Sequence, residues 1–291
     1  MNIWILTLFP EYFDAFLNSG VISRFLQNEN SSTKIKINIV QIRKWANNSY
    51  GSVDDYPFGG GAGLIMRFDV LSRCLIEGVF IPGGYDLDSK LKSKIPESEL
   101  TNFNLNNFNN NNNNNNNKPA PLIIYPSPKG KKFDNQYAKV LAREQILQRD
   151  LVFVAGRYEG IDERFIEMFV DEEISVGDYV LSGGEIAILS ILDSVIRQIP
   201  GALGNSLSIE EESFENMLLE APQYTRPRTF LGKEVPDIYL SGHHAEMKKY
   251  RLDIAKKLTK KLRPDLYQKY LDKNGCNGDN GDNENDGDES L

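Results

Sequence analysis

Short apolar runs alternate with helical segments along the first two thirds of the chain. The apolar runs predict strands, and the longer segments between them predict helices. Strands that alternate with helices in this way indicate an α/β fold with a parallel sheet. The predicted strands are 3–8, 35–41, 122–125, 151–155 and 173–176, and the predicted helices are 11–17, 135–147, 163–169 and 185–199.

The pattern changes after residue 203. The polar stretch 204–214 contains glycine and serine and predicts a linker. A small helical domain is predicted over 215–273, and it includes a basic helix over 245–262. One stripe of this helix is apolar: Met247, Tyr250, Ile254, Leu258 and Leu262. The sequence therefore predicts an α/β domain over 1–203 and a second, helical domain.

Two polar segments are set apart from this organisation. Residues 102–117 hold thirteen asparagines in sixteen positions, which is too little apolar surface to offset the entropy of ordering. With its approach, about 83–118, this run predicts a disordered insertion in a surface loop, where extra length costs little closure entropy. Residues 274–291 have six acidic residues and no basic one, and they predict a disordered acidic tail.

Composition narrows the class of protein. The chain has 291 residues, of which 40% are hydrophobic and 25% charged, as in ordinary globular proteins. No run approaches the roughly 18–20 apolar residues that cross a bilayer, so a membrane protein is not expected. The two cysteines, Cys74 in a predicted helix and Cys276 in the tail, favour a reducing, cytoplasmic location over a disulfide framework. Two histidines and two cysteines are also too few for a structural zinc site.

Basic residues are concentrated near the C-terminal end. The net charge is −8, but the acidic tail contributes six of these charges, so the remainder carries only −2. Residues 243–263 contain eight lysines and arginines against two acidic residues. Such a face can attract a polyanion despite the acidic total. The alternative is an ordinary solvated helix face.

Three glycine-rich loops, 125–130, 155–162 and 175–185, follow or join predicted strands. Ligands of open parallel sheets bind at the carboxyl ends of the strands, so three loops that converge there would form one pocket. The alternative is that each loop is only a tight turn. The glycines at 59–63 lack the Gly-Lys-Ser/Thr ending of a phosphate-binding loop, and no loop has the dinucleotide pattern. A nucleoside triphosphate or nicotinamide site is therefore not expected.

Eight motifs along the chain, taken together, indicate a family more specifically than the chemistry of any single loop does. They are LFPEYF at 8–13, VDDYPFGGGAGLIM at 53–66, YPSPKG at 125–130, GRYEGIDER at 156–164, VGDYVLSGGE at 176–185, DSVIRQIPG at 193–201, YTRP at 224–227 and LSGHHAEMKKYR at 240–251. In this order they resemble the bacterial tRNA (guanine-N1)-methyltransferases, the TrmD family of the SPOUT class. The resemblance covers nearly the whole chain apart from the asparagine-rich insertion and the acidic tail.

This resemblance implies a parallel sheet with a deep trefoil knot and a homodimer whose subunits share the active site. The implied reaction is methyl transfer from S-adenosylmethionine (AdoMet) to N1 of the guanosine at position 37 of tRNA, assisted by Mg²⁺ with ligands that the sequence does not identify. For Val176, Val180 and Leu181, plain core packing is the alternative role. By motif match the cofactor pocket comprises Ser127, Pro128, Gly156, Tyr158, Glu159, Gly160, Val176, Gly177, Asp178, Tyr179, Val180, Leu181, Gly183 and Gly184.

The implied reaction needs a base for the N1 proton and a cation near guanine O6. By resemblance Arg197 is the cation, and a surface or interface salt bridge is its alternative role. The family has an aspartate before Ser-Phe as the base, but this chain has Glu212 there, with one more methylene. We predict that Glu212 is the base, with Glu210 and Glu211 as the fallback. The alternative is a solvated acidic turn.

The guanosine pocket is predicted to include the acidic and glycine-rich segment of the second motif. For its two aspartates, a role in a turn is the alternative. The predicted residues are Asp54, Asp55, Gly59, Gly60 and Gly61.

The basic helix supplies the predicted tRNA contacts Lys248, Lys249 and Arg251, because phosphate contacts provide affinity while a base is bound in the pocket. His243 and His244 are predicted to cap this helix, with RNA binding as the alternative. Two other functions stay open. One is a knotted methyltransferase that acts on a ribose 2′-hydroxyl or on ribosomal RNA, and the other is an AdoMet- or RNA-binding protein without turnover.

Overall fold

Five parallel strands form the central sheet of the computed structural model. They lie in the order β2-β1-β6-β5-β7, where the strands are β1 (Asn2–Thr7), β2 (Lys36–Gln41), β5 (Leu122–Lys132), β6 (Leu151–Val154) and β7 (Glu172–Ser175). A short antiparallel pair, β3 (Asp54–Asp55) with β4 (Ile65–Met66), lies outside this sheet. The prediction of an α/β fold with a parallel sheet is confirmed.

The structure describes residues 1–28, 30–31, 33–85, 118–145, 149–203 and 212–275. The chain divides into two compact units, 1–204 and 205–291. The division coincides with the start of the predicted linker. The Asn-rich run, Glu210, Glu211 and the tail from residue 276 onward lie outside the described residues. In the described part of the chain, no helix has both the length and the apolar character needed to span a membrane.

Helices cover the sheet of the first unit. Two of them begin at aspartates whose side chains accept backbone N–H groups: Asp134 accepts from Tyr137, and Asp162 accepts from Arg164. The α-helices are α1 (Asp14–Asn18), α2 (Gly20–Leu26), α3 (Phe68–Leu75), α4 (Ile81–Gly83), α5 (Asn135–Val140), α6 (Glu163–Phe169) and α7 (Gly184–Ile196). Turns of 3₁₀-helix occupy Pro10–Phe13 and Ile42–Trp45, and π-helical turns occupy Ile76–Phe80 and Leu141–Gln145.

Alternate residues of the central strands enter two separate apolar clusters. Successive side chains of a strand point to opposite faces, so β6 sends Leu151 and Phe153 to one face and Val152 and Val154 to the other. The α3 and α6 helices pack on the Val152 face, while α2, α5 and α7 pack on the Leu151 face. Both faces are therefore buried, as is usual for a parallel sheet in an α/β fold.

The two ends of the predicted insertion meet at the amino ends of β1 and β6. Tyr85 is fully buried, and its hydroxyl accepts from Trp4 Nε1 at 2.8 Å and donates to Asp150 Oδ2 at 2.6 Å. Tyr85 also forms a backbone bridge with Lys118. Burial alone would raise the pKa of Asp150, but hydrogen bonds from Tyr85 and Asn2 outweigh burial and lower it. The core thus reaches Tyr85, past the predicted start of the insertion at about 83.

The second unit contains a two-stranded hairpin and two longer helices. These are β8 (Thr229–Phe230), β9 (Lys233–Glu234), α8 (His244–Leu262) and α9 (Pro264–Lys273), with a 3₁₀ turn at Asp237–Leu240. The predicted helix over 245–262 is present, and its apolar stripe is partly buried: Ile254 packs on the cluster of Leu218, Ala221 and Ala255. Ala255 and Thr259 are buried, while Leu262 at the end of the predicted stripe is 57% exposed. Ala255 and Thr259 are small, so the backbone segment that contains Leu219 can approach the helix. Thr259 Oγ1 accepts the N–H of Leu219 at 2.7 Å.

Candidate active site

The three glycine-rich loops line one pocket of about 200 Å³. The first lies within β5, and the second and third follow β6 and β7 at their carboxyl ends. All the predicted cofactor residues line this pocket except Asp178. The alternative, that the loops are only separate tight turns, does not describe this arrangement. The pocket also includes residues that the sequence analysis did not select: Tyr125, Pro126, Arg157, Ile174, Ser175 and Ala187.

The first loop is a bulge within a strand, which corrects the prediction that the strand ends at Tyr125. Pro126 and Lys131 both pair with Ile174 of β7, so residues 127–130 project from the edge of β5. Gly130 passes so close to β7 that an added Cβ would lie 2.4 Å from the backbone nitrogen of Ile174. Sequence reasoning missed the extension because Pro126 and Pro128 are unfavourable in a strand interior.

The second loop is held by β4 and by the glycine-rich segment before it. The N–H of Met66 donates to the Gly160 carbonyl at 3.0 Å, and the N–H of Glu159 donates to the Leu64 carbonyl at 2.9 Å. An added Cβ on Gly63 would lie 2.4 Å from Cγ of Glu159. The second motif therefore supports the cofactor loop directly, a contact between residues about a hundred positions apart.

Tyr158 connects this loop to the predicted guanosine pocket. It has a positive φ of 60°, an uncommon conformation for a residue other than glycine. Burial raises its pKa, and the nearby carboxylate of Asp54 raises it further, while Arg43 opposes this effect. Its ring is 47% exposed, which leaves one side of the phenol open at the rim of the pocket.

The third loop packs its backbone against the second. The N–H of Gly184 donates to the Gly156 carbonyl at 2.8 Å, and an added Cβ on Gly184 would meet Ala155 Cα at 2.9 Å. Gly184 is thus needed for the close approach of the two loops. Core packing, the alternative role for the apolar residues here, describes only Val176, because Val180 is 88% exposed and Leu181 is 37% exposed.

A buried ion pair joins the second and third loops, and the sequence analysis did not identify it. Arg157 Nε lies 2.8 Å from Oε2 of Glu185, which is fully buried. Burial alone would lower the pKa of Arg157, but its contacts with Tyr12 and Glu185 outweigh burial and raise it. The sequence signal was a carboxylate at the start of a long apolar helix, Gly184–Ile196, which needs a partner when buried.

The two predicted catalytic residues lie in different units and are described separately. Arg197 directly follows α7, is half-buried, and is not part of the pocket lining. Glu212 is half-buried and begins a turn, in which its carbonyl accepts the N–H of Glu215 at 3.3 Å. The helix that the acidic-turn alternative placed after Glu212 is absent from residues 212–217, which form a turn and a bend.

The predicted guanosine-pocket residues lie around the β3–β4 pair. Asp54 and Asp55 form β3, and Asp55 Oδ1 accepts the N–H of Tyr56 at 2.8 Å, as the turn alternative describes. Gly59 and Gly60 have φ of 87° and 81°, with no atom within 4 Å of an added Cβ. Gly61 has φ of 138°. Backbone conformation, rather than a close neighbour, is the constraint that favours glycine at 59 and 60.

The predicted tRNA contacts lie on the first turns of α8. Lys248 and Lys249 are exposed, and Arg251 is half-buried. The capping prediction for the histidines is wrong for their side chains, since His243 occupies the N-cap position without a side-chain hydrogen bond. Its carbonyl accepts the N–H of Met247 at 2.9 Å, and its own N–H donates to Ser241 Oγ.

Comparison with known proteins decides the family. The sequence model described as tRNA (Guanine-1)-methyltransferase TrmD matches residues 1–80 and 103–269. The chain belongs to this family. The unmatched stretch, residues 81–102, covers the approach to the asparagine-rich run and its first residue, while the rest of the run lies within the matched range.

Curated relatives agree over almost their whole length. A tRNA (guanine-N(1)-)-methyltransferase of Clostridium botulinum (strain Loch Maree / Type A3) is 42% identical over 270 residues, which cover 93% of each chain. One of Clostridioides difficile (strain 630) is 38% identical over 273 residues, which cover 94% of this chain and 100% of the relative. A third, of Alkaliphilus oremlandii (strain OhILAs), is 40% identical over 271 residues.

Proposed function

We propose that this chain is a tRNA (guanine-N1)-methyltransferase that transfers a methyl group from AdoMet to N1 of guanosine 37. The observation that carries the proposal is the single pocket formed by three loops in a chain of this family. All but one of the residues assigned to AdoMet by motif match line it. The functional roles of the two domains, cofactor binding in the first and tRNA binding in the second, belong to the same proposal.

The pocket residues fit AdoMet. Gly156 lets the ring of Tyr125 pack against the second loop, where an added Cβ would lie 2.9 Å from the ring, and Gly184 lets the third loop pack against the backbone of Ala155. Both glycines line the pocket, where backbone N–H and C=O groups can bind an adenine edge. Val180 and Leu181 add exposed apolar surface. When bound, AdoMet supplies a methyl group on a positively charged sulfur, which is open to attack by a nitrogen lone pair.

The chain's own residues supply proton transfer and charge stabilisation. The carboxylate of Glu212 accepts the proton that leaves guanine N1 as this nitrogen gains the methyl group. The guanidinium of Arg197 stabilises the negative charge that develops on guanine O6, because arginine stays charged through the reaction. The side chain of Glu212 is one methylene longer than that of aspartate. Its backbone must therefore lie slightly farther from the guanine to place the carboxylate oxygens at the same point.

The trefoil knot and the homodimer are part of the proposal. The close backbone packing of the third loop on the second, through Gly184 and Gly156, supports a knotted arrangement of these segments. Exposed apolar side chains support a subunit interface, with Ile186 on α7 46% exposed and Tyr12 40% exposed. Light scattering should give about twice the chain mass of 33.0 kDa, and a mass of one chain would contradict the dimer.

We propose Mg²⁺ as a second cofactor because the family resemblance implies it. The described residues contain no group of three or more His, Cys, Asp and Glu side chains that could hold a metal ion. We therefore assign no residue of the described chain as a ligand of Mg²⁺. A tRNA enzyme of this kind works in the cytoplasm, which we propose as its location.

Product analysis tests the function. After incubation with AdoMet, tRNA is digested to nucleosides and separated by mass-resolved chromatography, and we expect N1-methylguanosine. A 2′-O-methyl nucleoside would favour the alternative of a ribose methyltransferase. AdoMet binding without any methylated nucleoside would favour the nonenzymatic alternative.

Variants of Glu212 test its role as the base. Glu212→Gln keeps the shape of the side chain and removes the charge, and we expect AdoMet affinity to be retained while turnover falls by about 10²–10⁴-fold. Glu212→Asp restores the family's residue and should retain turnover. Undiminished activity in Glu212→Gln would contradict the assignment.

A further inference from the structure

Glu185 is fully buried at the start of α7 and has two polar neighbours. Thr7 Oγ1, at the end of β1, donates to Glu185 Oε1 at 2.8 Å. Arg157 Nε, in the second loop, lies 2.8 Å from Glu185 Oε2. A buried carboxylate that loses its cationic partner is costly, so these contacts fix the three segments relative to one another.

The side chain of Arg157 contacts three further residues besides Glu185. Its guanidinium lies 4.4 Å from the ring centre of Phe9 and 5.1 Å from that of Tyr12. Its Nη1 donates to the Ser182 carbonyl at 3.2 Å, in the third loop. Its side chain is only 13% exposed. Arginine suits this place because its planar group can stack on rings while its edge binds oxygens.

The third loop is shaped around this arginine. An added Cβ on Gly183 would lie 2.3 Å from Arg157 Nε. Gly183 and Gly184 both line the cofactor pocket, and Glu185 follows them directly. Any shift of Arg157 therefore moves or releases the residues that form one wall of the pocket.

We propose that Glu185 is a positioning residue that acts through Arg157 to hold the second and third loops at the spacing that AdoMet requires. The inference rests on the proposed function and deepens it. Glu185 does not line the pocket, so any effect of its charge on AdoMet must pass through the residues it holds. Thr7 fixes the other carboxylate oxygen and thereby the direction of the pair.

A double-mutant cycle on AdoMet affinity tests the inference. The variants are Glu185→Gln, Arg157→Gln and the double variant, and affinity for AdoMet is measured by equilibrium dialysis on the full chain. We expect each single variant to bind AdoMet about tenfold more weakly, and the double variant to bind no more weakly than Arg157→Gln. Independent, multiplying losses would overturn the inference, because Glu185 would then act by another route.

The conservative variant Arg157→Lys and a matched control separate positioning from general damage. Arg157→Lys keeps the charge and should recover part of the affinity lost in Arg157→Gln. Arg164→Lys changes an ion pair between the first turn of α6 and the end of the second loop, with Asp162 at 2.7 Å, and should leave AdoMet affinity unchanged. Affinity for tRNA should be unchanged in Glu185→Gln, whereas general unfolding would lower affinity for both ligands.

Folding is checked by the cooperative loss of tryptophan fluorescence in urea. If Glu185→Gln does not fold, Thr7→Val is used instead, because it removes only the hydroxyl that donates to Glu185. Thr7→Val should weaken AdoMet binding about threefold in the wild-type background. In the Arg157→Gln background it should not weaken AdoMet binding further. If the wild type binds AdoMet and the Glu185 or Thr7 variant binds it equally well, the inference is overturned and the proposed function stays intact. A wild-type chain that binds no AdoMet would refute the proposed function, and this inference with it.

Discussion

The first unit packs apolar side chains on both faces of its sheet, whereas the second unit has one small described cluster around Leu218, Ala221 and Ala255. The pocket belongs to the first unit, where loops are fixed by backbone contacts and by a buried ion pair. Two of the three candidate tRNA contacts of the second unit, Lys248 and Lys249, are exposed side chains on α8. A small cofactor needs a preorganised site, while phosphates need only accessible charge.

The largest expected effect comes from a glycine between two strands of the first unit. Gly130→Ala should lower the free energy of unfolding by about 2–4 kcal/mol, because its Cβ would overlap the backbone of Ile174. Both tryptophans, Trp4 and Trp45, lie in this unit, so tryptophan fluorescence in a urea titration reports the change.

A second glycine provides the matched control. Gly201 also lies in the first unit, but an added Cβ there would meet no atom within 4 Å. Its φ of 85° limits the cost of Gly201→Ala to about 1 kcal/mol. Equal losses in the two variants would break the contrast between tight loop packing and an open turn.

The next effect tests how much the second unit depends on its small core. Leu266 is 9% exposed, and Leu266→Ala should cost about 2 kcal/mol through loss of buried apolar surface. Leu262→Ala, at a side chain that is 57% exposed, should cost less than about 0.5 kcal/mol. Thermal unfolding followed by far-ultraviolet circular dichroism compares the two. A larger loss of stability in Leu262→Ala than in Leu266→Ala would show that Leu262, at the end of the predicted stripe, is buried.

Removing charge from α8 should affect binding more than stability. The double variant Lys248→Ala, Lys249→Ala should bind tRNA about tenfold more weakly and lower the slope of log affinity against log salt by about 1 per lysine. AdoMet affinity should not change. Lys36→Ala, at an exposed lysine of the first unit, is the control for net charge. An equal loss in Lys36→Ala would show that α8 has no special role.

The smallest effect is a pH dependence that originates in the pocket wall. Burial, with the nearby carboxylates of Glu173 and Glu163, raises the pKa of Tyr125 to about 12. The folded protein therefore favours the neutral phenol, and this stabilisation is complete below the unfolded pKa of about 10 and is lost as the pH rises through about 12. Between pH 9 and pH 11, Tyr125→Phe should lose about 1 kcal/mol less stability than the wild type.

Urea titrations at the two pH values measure this difference. Tyr50→Phe, at a side chain that is 91% exposed, is the control and should follow the wild type. If Tyr125→Phe also follows the wild type, the phenol of Tyr125 does not contribute to the alkaline loss of stability.

Much of the first unit could be predicted from local pattern. The runs that become β1 and β6 are short and apolar, and the predicted bounds of β1, β6 and β7 each lie within one residue of the observed ones. Long-range features could not be predicted in this way. The bulge of β5 depends on pairing with Ile174 of another strand. The contacts of Glu185 with Arg157 and Thr7 join residues that are far apart in the sequence, so no local pattern indicates them.

In the second unit the helical period predicted the helix and part of its buried side, since Ile254 packs on the small cluster, but it did not predict the two most buried positions. Ala255 and Thr259 are buried because of tertiary contacts that the helical period does not contain. The hydroxyl of Thr259 accepts a hydrogen bond from the segment that contains Leu219. The pocket residues were found by motif match and lie together in the structure, while the roles of Arg197 and Glu212 stay predictions.

The most direct test of the central claim is one transfer assay with methyl-labelled AdoMet and two acceptors. These are an unmodified tRNA with guanosine at position 37 and the same tRNA with adenosine there. The account predicts that label enters only the first and is recovered as N1-methylguanosine. Label in neither tRNA, with AdoMet binding intact, would contradict the claim that this chain with Glu212 is an active methyltransferase.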